Sequence, residues 1–368
     1  MDEHTLRVLE FDKVIARLAE NTSFSAGREL ALALQPSTDR DEVVRRQRIT
    51  SEARRLRDIQ PRVGLGGAHE VRPQADKAAR GGVLLTAELL DVAATLESAG
   101  NLRGTIRRVA DELPMLAGIA DGIEPLPELV AEINRSIDQR GEVTDAASPA
   151  LASLRRNVRV SHDRLNDRLQ SLLNSPQYRD AIQEPIITQR DGRYVIPVKA
   201  EQRGQLRGIV HDVSSSGATV FLEPLALVEL GNTWRELQLE EEREVERVLR
   251  ELSGLAGASA DGIIDSVAAL AELDLALAKA RLGDDMQSPE LPHEGAEQAW
   301  IVEPGGQLHL LNARHPGLLL RKTSTPALEQ PSEPRAEVVP ITVTVGGEYT
   351  ALLVTGPNTG GKTVALKT

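Results

Sequence analysis

Tyr349-Thr-Ala-Leu-Leu-Val-Thr355 runs directly into Gly356-Pro-Asn-Thr-Gly-Gly-Lys-Thr363, and Val364, Ala365 and Leu366 follow at helical spacing. An apolar, β-branched run that enters G-x-x-x-x-G-K-T and leaves as a helix is the setting of a phosphate-cradling P-loop. Gly356, Gly360 and Gly361 permit the backbone conformations and close approach that let several N–H groups converge on phosphate oxygens. In this reading Lys362 reaches the outer phosphates, the Thr363 hydroxyl is the Mg²⁺ ligand, and the helix start adds its positive dipole end. The alternative is a glycine-rich turn matching by chance. The strand ahead of it and the complete eight-residue match argue against that.

The chain stops at Thr368. A P-loop hydrolase also needs an acidic residue from another strand for its Mg²⁺ and a group that positions water. In a sequential α/β domain these come downstream. The expectation is therefore the N-terminal part of a longer protein, ending inside its nucleotide-binding domain.

Working outward, residues 338–345 read as a strand, with Gly346-Gly347 turning into the P-loop strand. Before it come a Pro-rich loop over 325–334, Asn312-Ala-Arg-His-Pro316, and two further strands at Leu308-His-Leu-Leu311 and Trp300-Ile-Val-Glu303. Residues 283–295 read as a linker and 263–282 as an apolar helix.

Upstream lie two segments with related patterning. Leu151, Leu154, Val158, Leu165, Leu169 and Leu172 approach a heptad seam. Leu227, Leu230, Trp234, Leu237, Val248, Leu252 and Leu255 do the same with a polar interruption near Glu241. Two such stretches around a short module predict an antiparallel coiled coil, each arm of roughly 30 residues reaching about 45 Å. A compact helical bundle is the alternative; the charge-dense run over 236–250 favours the extended form.

The module between the arms is β-rich. Asp191-Gly192 joins two runs as a hairpin, and two more strands flank residues 214–217. Arg190, Arg193, Lys199, Arg203 and Arg207 outnumber the acids across 186–210, so this module is the candidate surface for a phosphate backbone. A capping hairpin that only joins the helices is the alternative. His211-Asp212 beside Ser214, Ser215 and Ser216 lacks a nucleophile-elbow pattern and reads as a structural turn.

Residues 1–110 read as helices. Leu6, Leu9, Phe11, Val14, Ile15 and Leu18 share one helical face; 36–39 stop one helix and cap the next; Thr86 is placed as a cap. The arginine-rich stretch 42–58 reads as a solvated helix face rather than a nucleic-acid surface. The chain has no cysteine, which excludes disulfides and thiol catalysis, and no histidine cluster at metal-ligand spacing. With no signal peptide pattern and no membrane-length apolar run, the expected setting is a soluble protein of the cytoplasm. A net charge of −12 argues against indiscriminate coating of nucleic acid, and 2% aromatic content leaves few rings on which bases could stack. Contact must rest on Arg and Lys.

This order of parts resembles the MutS ATPases. Asp191-Gly-Arg-Tyr-Val-Ile-Pro-Val-Lys199, His211-Asp-Val-Ser-Ser-Ser-Gly-Ala-Thr-Val-Phe-Leu-Glu-Pro224 and the opening Leu9-Glu-Phe-Asp-Lys-Val14 are similar to the second bacterial class, the MutS-two paralogues. The resemblance implies a mainly α protein: a helical core with antiparallel coiled-coil arms, a small β module and the start of an α/β ABC-type ATPase domain. Its parts would be a helical core (lever) at 1–145, an outgoing arm at 146–182, a basic β clamp module at 183–225, a returning arm and core at 226–284, and an incomplete ATPase domain at 285–368. It implies ATP and Mg²⁺, held by Gly356, Pro357, Asn358, Thr359, Gly360, Gly361, Lys362 and Thr363, with Val338 and Val339 on the adenine side. There the family shows an Asn soon after, where this chain reads Pro340-Ile341-Thr342. It implies a homodimer through the ATPase domains and a C-terminal nuclease in the full-length protein. Nucleic acid would be the partner, as branched DNA in suppression of recombination or as ribosomal RNA in splitting stalled ribosomes. A non-catalytic DNA or ribosome adaptor is the competing reading. An SMC-like ATPase is disfavoured because that class places its P-loop before the coiled coil.

Overall fold

The structure is a computed structural model that describes residues 3–289, 291, 305–323, 338–347, 351–356 and 361–368. In chain order the elements begin with α1 (Glu3–Val8), α2 (Phe11–Glu20), α3 (Ser25–Leu32), α4 (Arg40–Ile59), α5 (Arg72–Ala79), α6 (Thr86–Arg107), α7 (Pro114–Ala120), α8 (Pro127–Ser136) and α9 (Pro149–Leu173). Strands β1 (Thr188–Arg190), β2 (Arg193–Lys199), β3 (Gly208–Val213) and β4 (Thr219–Pro224) follow. Then come α10 (Leu225–Ala258), α11 (Ala260–Asp285), β5 (Leu308–Ala313), α12 (Pro316–Thr323), β6 (Ile341–Val345) and α13 (Lys362–Lys367). The fold is mostly helical with small antiparallel sheets. The chain divides into two compact units, one of Met1–Arg80, Asp91–Val130 and Ala256–Thr368, the other of Gly81–Leu90 and Ala131–Leu255.

The first unit is organised around α11, which packs on α2, α3, α4, α5 and α7. Ala269, Ala271, Ala276, Ala278 and Ala280 are all buried, and such small side chains let neighbouring helices approach closely. Asp274 lies fully buried among them and accepts hydrogen bonds from the Ser23 N–H (2.7 and 3.0 Å to its two oxygens) and the Phe24 N–H (3.4 Å). These are donors at the start of α3 that no residue of α3 itself satisfies. Burial, the largest influence, holds the Asp274 carboxyl above the usual carboxylate range against those hydrogen bonds. Gly27 makes the approach possible, since a Cβ there would fall 2.3 Å from Asp274 Oδ2.

The 36–39 stop is borne out: Asp39 caps α4, accepting from the Glu42 N–H at 3.0 Å. The continuous opening helix is not. Glu10 adopts φ 59°, ψ 30° and splits the apolar stripe into α1 and α2, its carboxylate held by Lys13 at 3.0 Å and Lys367 at 2.9 Å. Thr86 is the first helical residue rather than the cap. Glu88 instead reaches back to the Leu85 N–H at 2.7 Å, the reciprocal half of a capping box.

In the second unit α9 and α10 run antiparallel. Ser148 pairs with Glu244, Arg155 with Glu241 (2.9 Å), and the ring of His162 lies 5.4 Å from that of Trp234. Pro149 occupies the first turn of α9, with Ser148 Oγ accepting from the N–H groups of Ala150 and Leu151. Leu165, Leu169 and Leu173 of α9 and Leu227 of α10 close over Ile196, Val198 and Leu222 of an antiparallel sheet ordered β1-β2-β4-β3. Asp191 (φ 49°) and Gly192 (φ 75°) make the β1–β2 turn, both in the left-handed region that a two-residue type I′ hairpin requires. The ladder between β3 and β4 shifts register between Val210 and Asp212. His211 is the extra residue, and bulges of this kind re-aim a side chain.

Strands form where the sequence predicts them at 308–311 and within 338–345, the second only over Ile341–Val345, and the two pair antiparallel. Of the strand expected at 349–355, residues 351–355 carry no regular structure and Leu353 is 86% exposed, while 349 and 350 lie outside the described residues. Among the described residues no neighbouring strand supplies the ladder it needs. The expected strand at 300–303 and the Pro-rich loop lie outside the described residues. No described helix is long and apolar enough to cross a membrane.

Candidate nucleotide and nucleic-acid sites

Gly356 (φ 141°) opens the glycine loop, and Gly361 (φ 79°) closes it as the residue before α13. Both φ values lie where a side chain would strain the backbone. Lys362, the first residue of α13, donates from its ammonium to the Gly356 carbonyl. Thr363 is exposed one residue further on. Pro357, Asn358, Thr359 and Gly360 lie outside the described residues. At the other end of α13, Lys367 binds Glu10. Lys367 and Lys13 together hold the Glu10 carboxyl down to about 2. Val338 is buried and Val339 is 79% exposed, immediately before β6.

The five basic residues singled out in the β module divide into two sets. Arg190 is engaged: its Nε donates to Asp212 at 3.0 Å, and its guanidinium lies 4.2 Å from the Phe221 ring centroid. Arg193 faces Glu223, whose side chain is 4% exposed, at 3.4 Å, and His211 Nε2 sits 2.7 Å from the other Glu223 oxygen. Gly231 of α10 leaves room for this cluster, since a Cβ there would meet Arg193 Nη1 at 3.2 Å and Glu223 Oε1 at 3.3 Å. A carboxylate so far from water needs such partners. The bulge in β3 brings His211 to it. Lys199 is partly exposed, and Arg203 and Arg207 are exposed. Among the described residues these three make no side-chain ion pair, so their charge remains available to an external anion. They lie in one stretch, from the end of β2 to the residue before β3.

The serines next to Asp212 do turn work. Ser214 Oγ accepts from the Thr219 N–H at 3.0 Å and lies 3.3 Å from Ser216 Oγ, while Asp212 pairs with Arg190. Sequence reasoning missed the Glu223–His211 pair. The signal was an acid ending an apolar strand run, Val220-Phe-Leu-Glu223, where only a partnered charge can be buried.

No family model matches the chain. Curated relatives do. It is 44% identical to the endonuclease MutS2 of Symbiobacterium thermophilum and 44% to that of Thermomicrobium roseum, each over the whole chain and 43% and 45% of the relative. It is 42% identical to the endonuclease MutS2 of Geobacillus thermodenitrificans, over 44% of that protein. The chain belongs to the MutS family. Within it the chain is a MutS-two paralogue, spanning a little under half the length of the relatives it matches.

Proposed function

We propose that the chain is the N-terminal part of an ATP-dependent MutS-two clamp that grips nucleic acid. The observation that carries this reading is the Lys362 ammonium donating to the Gly356 carbonyl at the start of α13, in a chain whose β module offers Lys199, Arg203 and Arg207 without an ion pair among the described residues. ATP is the nucleotide. Gly356, Gly361 and Lys362 line its phosphates, Pro357, Asn358, Thr359 and Gly360 complete the loop, Thr363 ligates Mg²⁺, and Val338 and Val339 lie on the adenine side. When bound, Mg²⁺ neutralises charge that develops between the outer phosphates. The remainder of an ABC-type ATPase domain completes the site, and two copies dimerise through these domains. Helices α9 and α10 act as the two strands of an antiparallel coiled-coil arm carrying the β module.

The partner is branched DNA or ribosomal RNA. Nuclease activity, which the relatives' names record, belongs to the full-length protein. Lys362→Ala in the full-length protein tests the proposal. ATP-dependent release from branched DNA or from ribosomes should disappear while nucleotide-free binding persists. Release unchanged by Lys362→Ala leaves a binding adaptor without nucleotide chemistry. The chain by itself should show no steady ATP hydrolysis, and Lys362-dependent turnover by it would contradict the incomplete-site reading.

A further inference from the structure

The first unit holds a cavity of about 350 Å³ between the end of α3, α4, α7 and α11. Leu30, Leu34, Ile49 and Leu275 give it an apolar floor. Lys279 of α11 reaches into it, partly buried, and makes no ion pair or side-chain hydrogen bond among the described residues. The charged groups around it explain why. Glu42 of α4 is already held by Arg45 Nε at 3.0 Å and Arg46 Nε at 2.6 Å, and Arg46 also donates to the Gln35 carbonyl at 2.8 Å. These two arginines pull the Glu42 carboxyl down to about 2. Glu272, on α11 itself, is exposed; α3 and α7 bring no charged group to the lining.

The cavity therefore has three cations against one committed carboxylate and one at the rim. Burial first, then the charge of Arg46, pushes the Lys279 amine down to about 8. An unpaired ammonium above a hydrocarbon floor discriminates between ligands by chemistry. A bare phosphate would meet the charge and leave the floor unfilled. An alcohol would fill the floor and leave the charge unmet. We propose that this cavity is a binding site for a small monocarboxylic acid with an apolar body, its carboxylate on Lys279 and its hydrocarbon against Leu30, Leu34, Ile49 and Leu275. Arg45, with Arg46 behind it, supplies the remaining positive potential.

The test is calorimetric titration of the full chain, wild type and Lys279→Met, with octanoate, octan-1-ol and inorganic phosphate at pH 7 and pH 9.5. Circular dichroism establishes that the variant folds. Octanoate should bind the wild type at pH 7 about tenfold or more tighter than octanol or phosphate. It should weaken by about tenfold both in Lys279→Met and at pH 9.5, where the free amine is largely uncharged. Ile49→Trp, which fills the floor and keeps the charge, should also block it. Octanol or phosphate binding as tightly as octanoate, octanoate binding unaffected by Lys279→Met, or no octanoate binding at all would each overturn the assignment.

Discussion

Removing Asp274 should cost the first unit more than any exposed ion pair, and Gly27 shows how to measure the effect. In Asp274→Ala the Ser23 and Phe24 N–H groups lose their acceptor. At about 1–3 kcal/mol per unsatisfied buried donor, less the relief of desolvating one carboxylate, the net loss comes to about 3 kcal/mol. In the wild type Gly27→Ala places a methyl 2.3 Å from Asp274 Oδ2 and 3.0 Å from its Cβ and Cγ. The carboxylate must swing off both amides, so the substitution should cost about 2 kcal/mol even after the ~1 kcal/mol by which Ala improves a helix. In the Asp274→Ala background only the 3.0 Å methyl–methyl approach remains. The same change should then lie within about 1 kcal/mol of neutral, a coupling of at least about 1 kcal/mol. Urea unfolding followed by circular dichroism gives the four stabilities, and amide exchange at Ser23 and Phe24 locates the loss. Equal costs of Gly27→Ala in both backgrounds would refute the reasoning. Because the Asp274 carboxyl lies above its ordinary value in the folded chain, the native state holds the extra proton. This group's contribution therefore falls as pH rises from about 4 through the folded value. Asp274→Asn should flatten that fall.

Lys279→Met should raise stability at pH 7 by about 2 kcal/mol, since a partly buried, unpaired ammonium is replaced by an isosteric apolar chain. The folded Lys279 amine lies near 8 against an ordinary 10.5, so the unfolded chain binds more protons between those values. Wild-type stability should rise across that window and the variant's should not; parallel pH curves would contradict this. Substituting Lys199, Arg203 and Arg207 together by Gln should lower the slope of log affinity for duplex DNA against log salt by about 2 to 3. An unaltered slope in a filter-binding assay would remove this stretch as the contact. Glu223→Ala should destabilise the β module by about 3 kcal/mol, leaving Arg193 without its buried partner, and a proteolysis profile of the module unchanged from wild type would contradict that.

Much of this was legible in the residues. The Asp191-Gly192 turn and the Asp39 cap follow from local chemistry and stand as read. The opening helix did not, because one of the two lysines that hold Glu10 at the break is Lys367, far beyond any local window. Nor did the sorting of the basic residues. Composition counts five cations in the module, but only the fold reveals that Asp212 engages Arg190 and that a buried Glu223 claims Arg193. The strand before the glycine loop shows the same limit from the other side, since a β-branched run needs a neighbour before it becomes a strand.

The carboxylate that anchors α3 is encoded 251 positions after the amide it serves. At typical translation speeds roughly 10 to 50 s separate their emergence. For that interval the oily faces of α2 and α3, with Ile15, Leu18 and Ala31 uncovered, wait outside the exit tunnel. The contiguous stretch Ala131–Leu255 can meanwhile finish folding. Vectorial synthesis thus completes the inserted part of this molecule first and its oldest residues last, so holdase binding to nascent chains should concentrate on the opening helices and end once α11 is out.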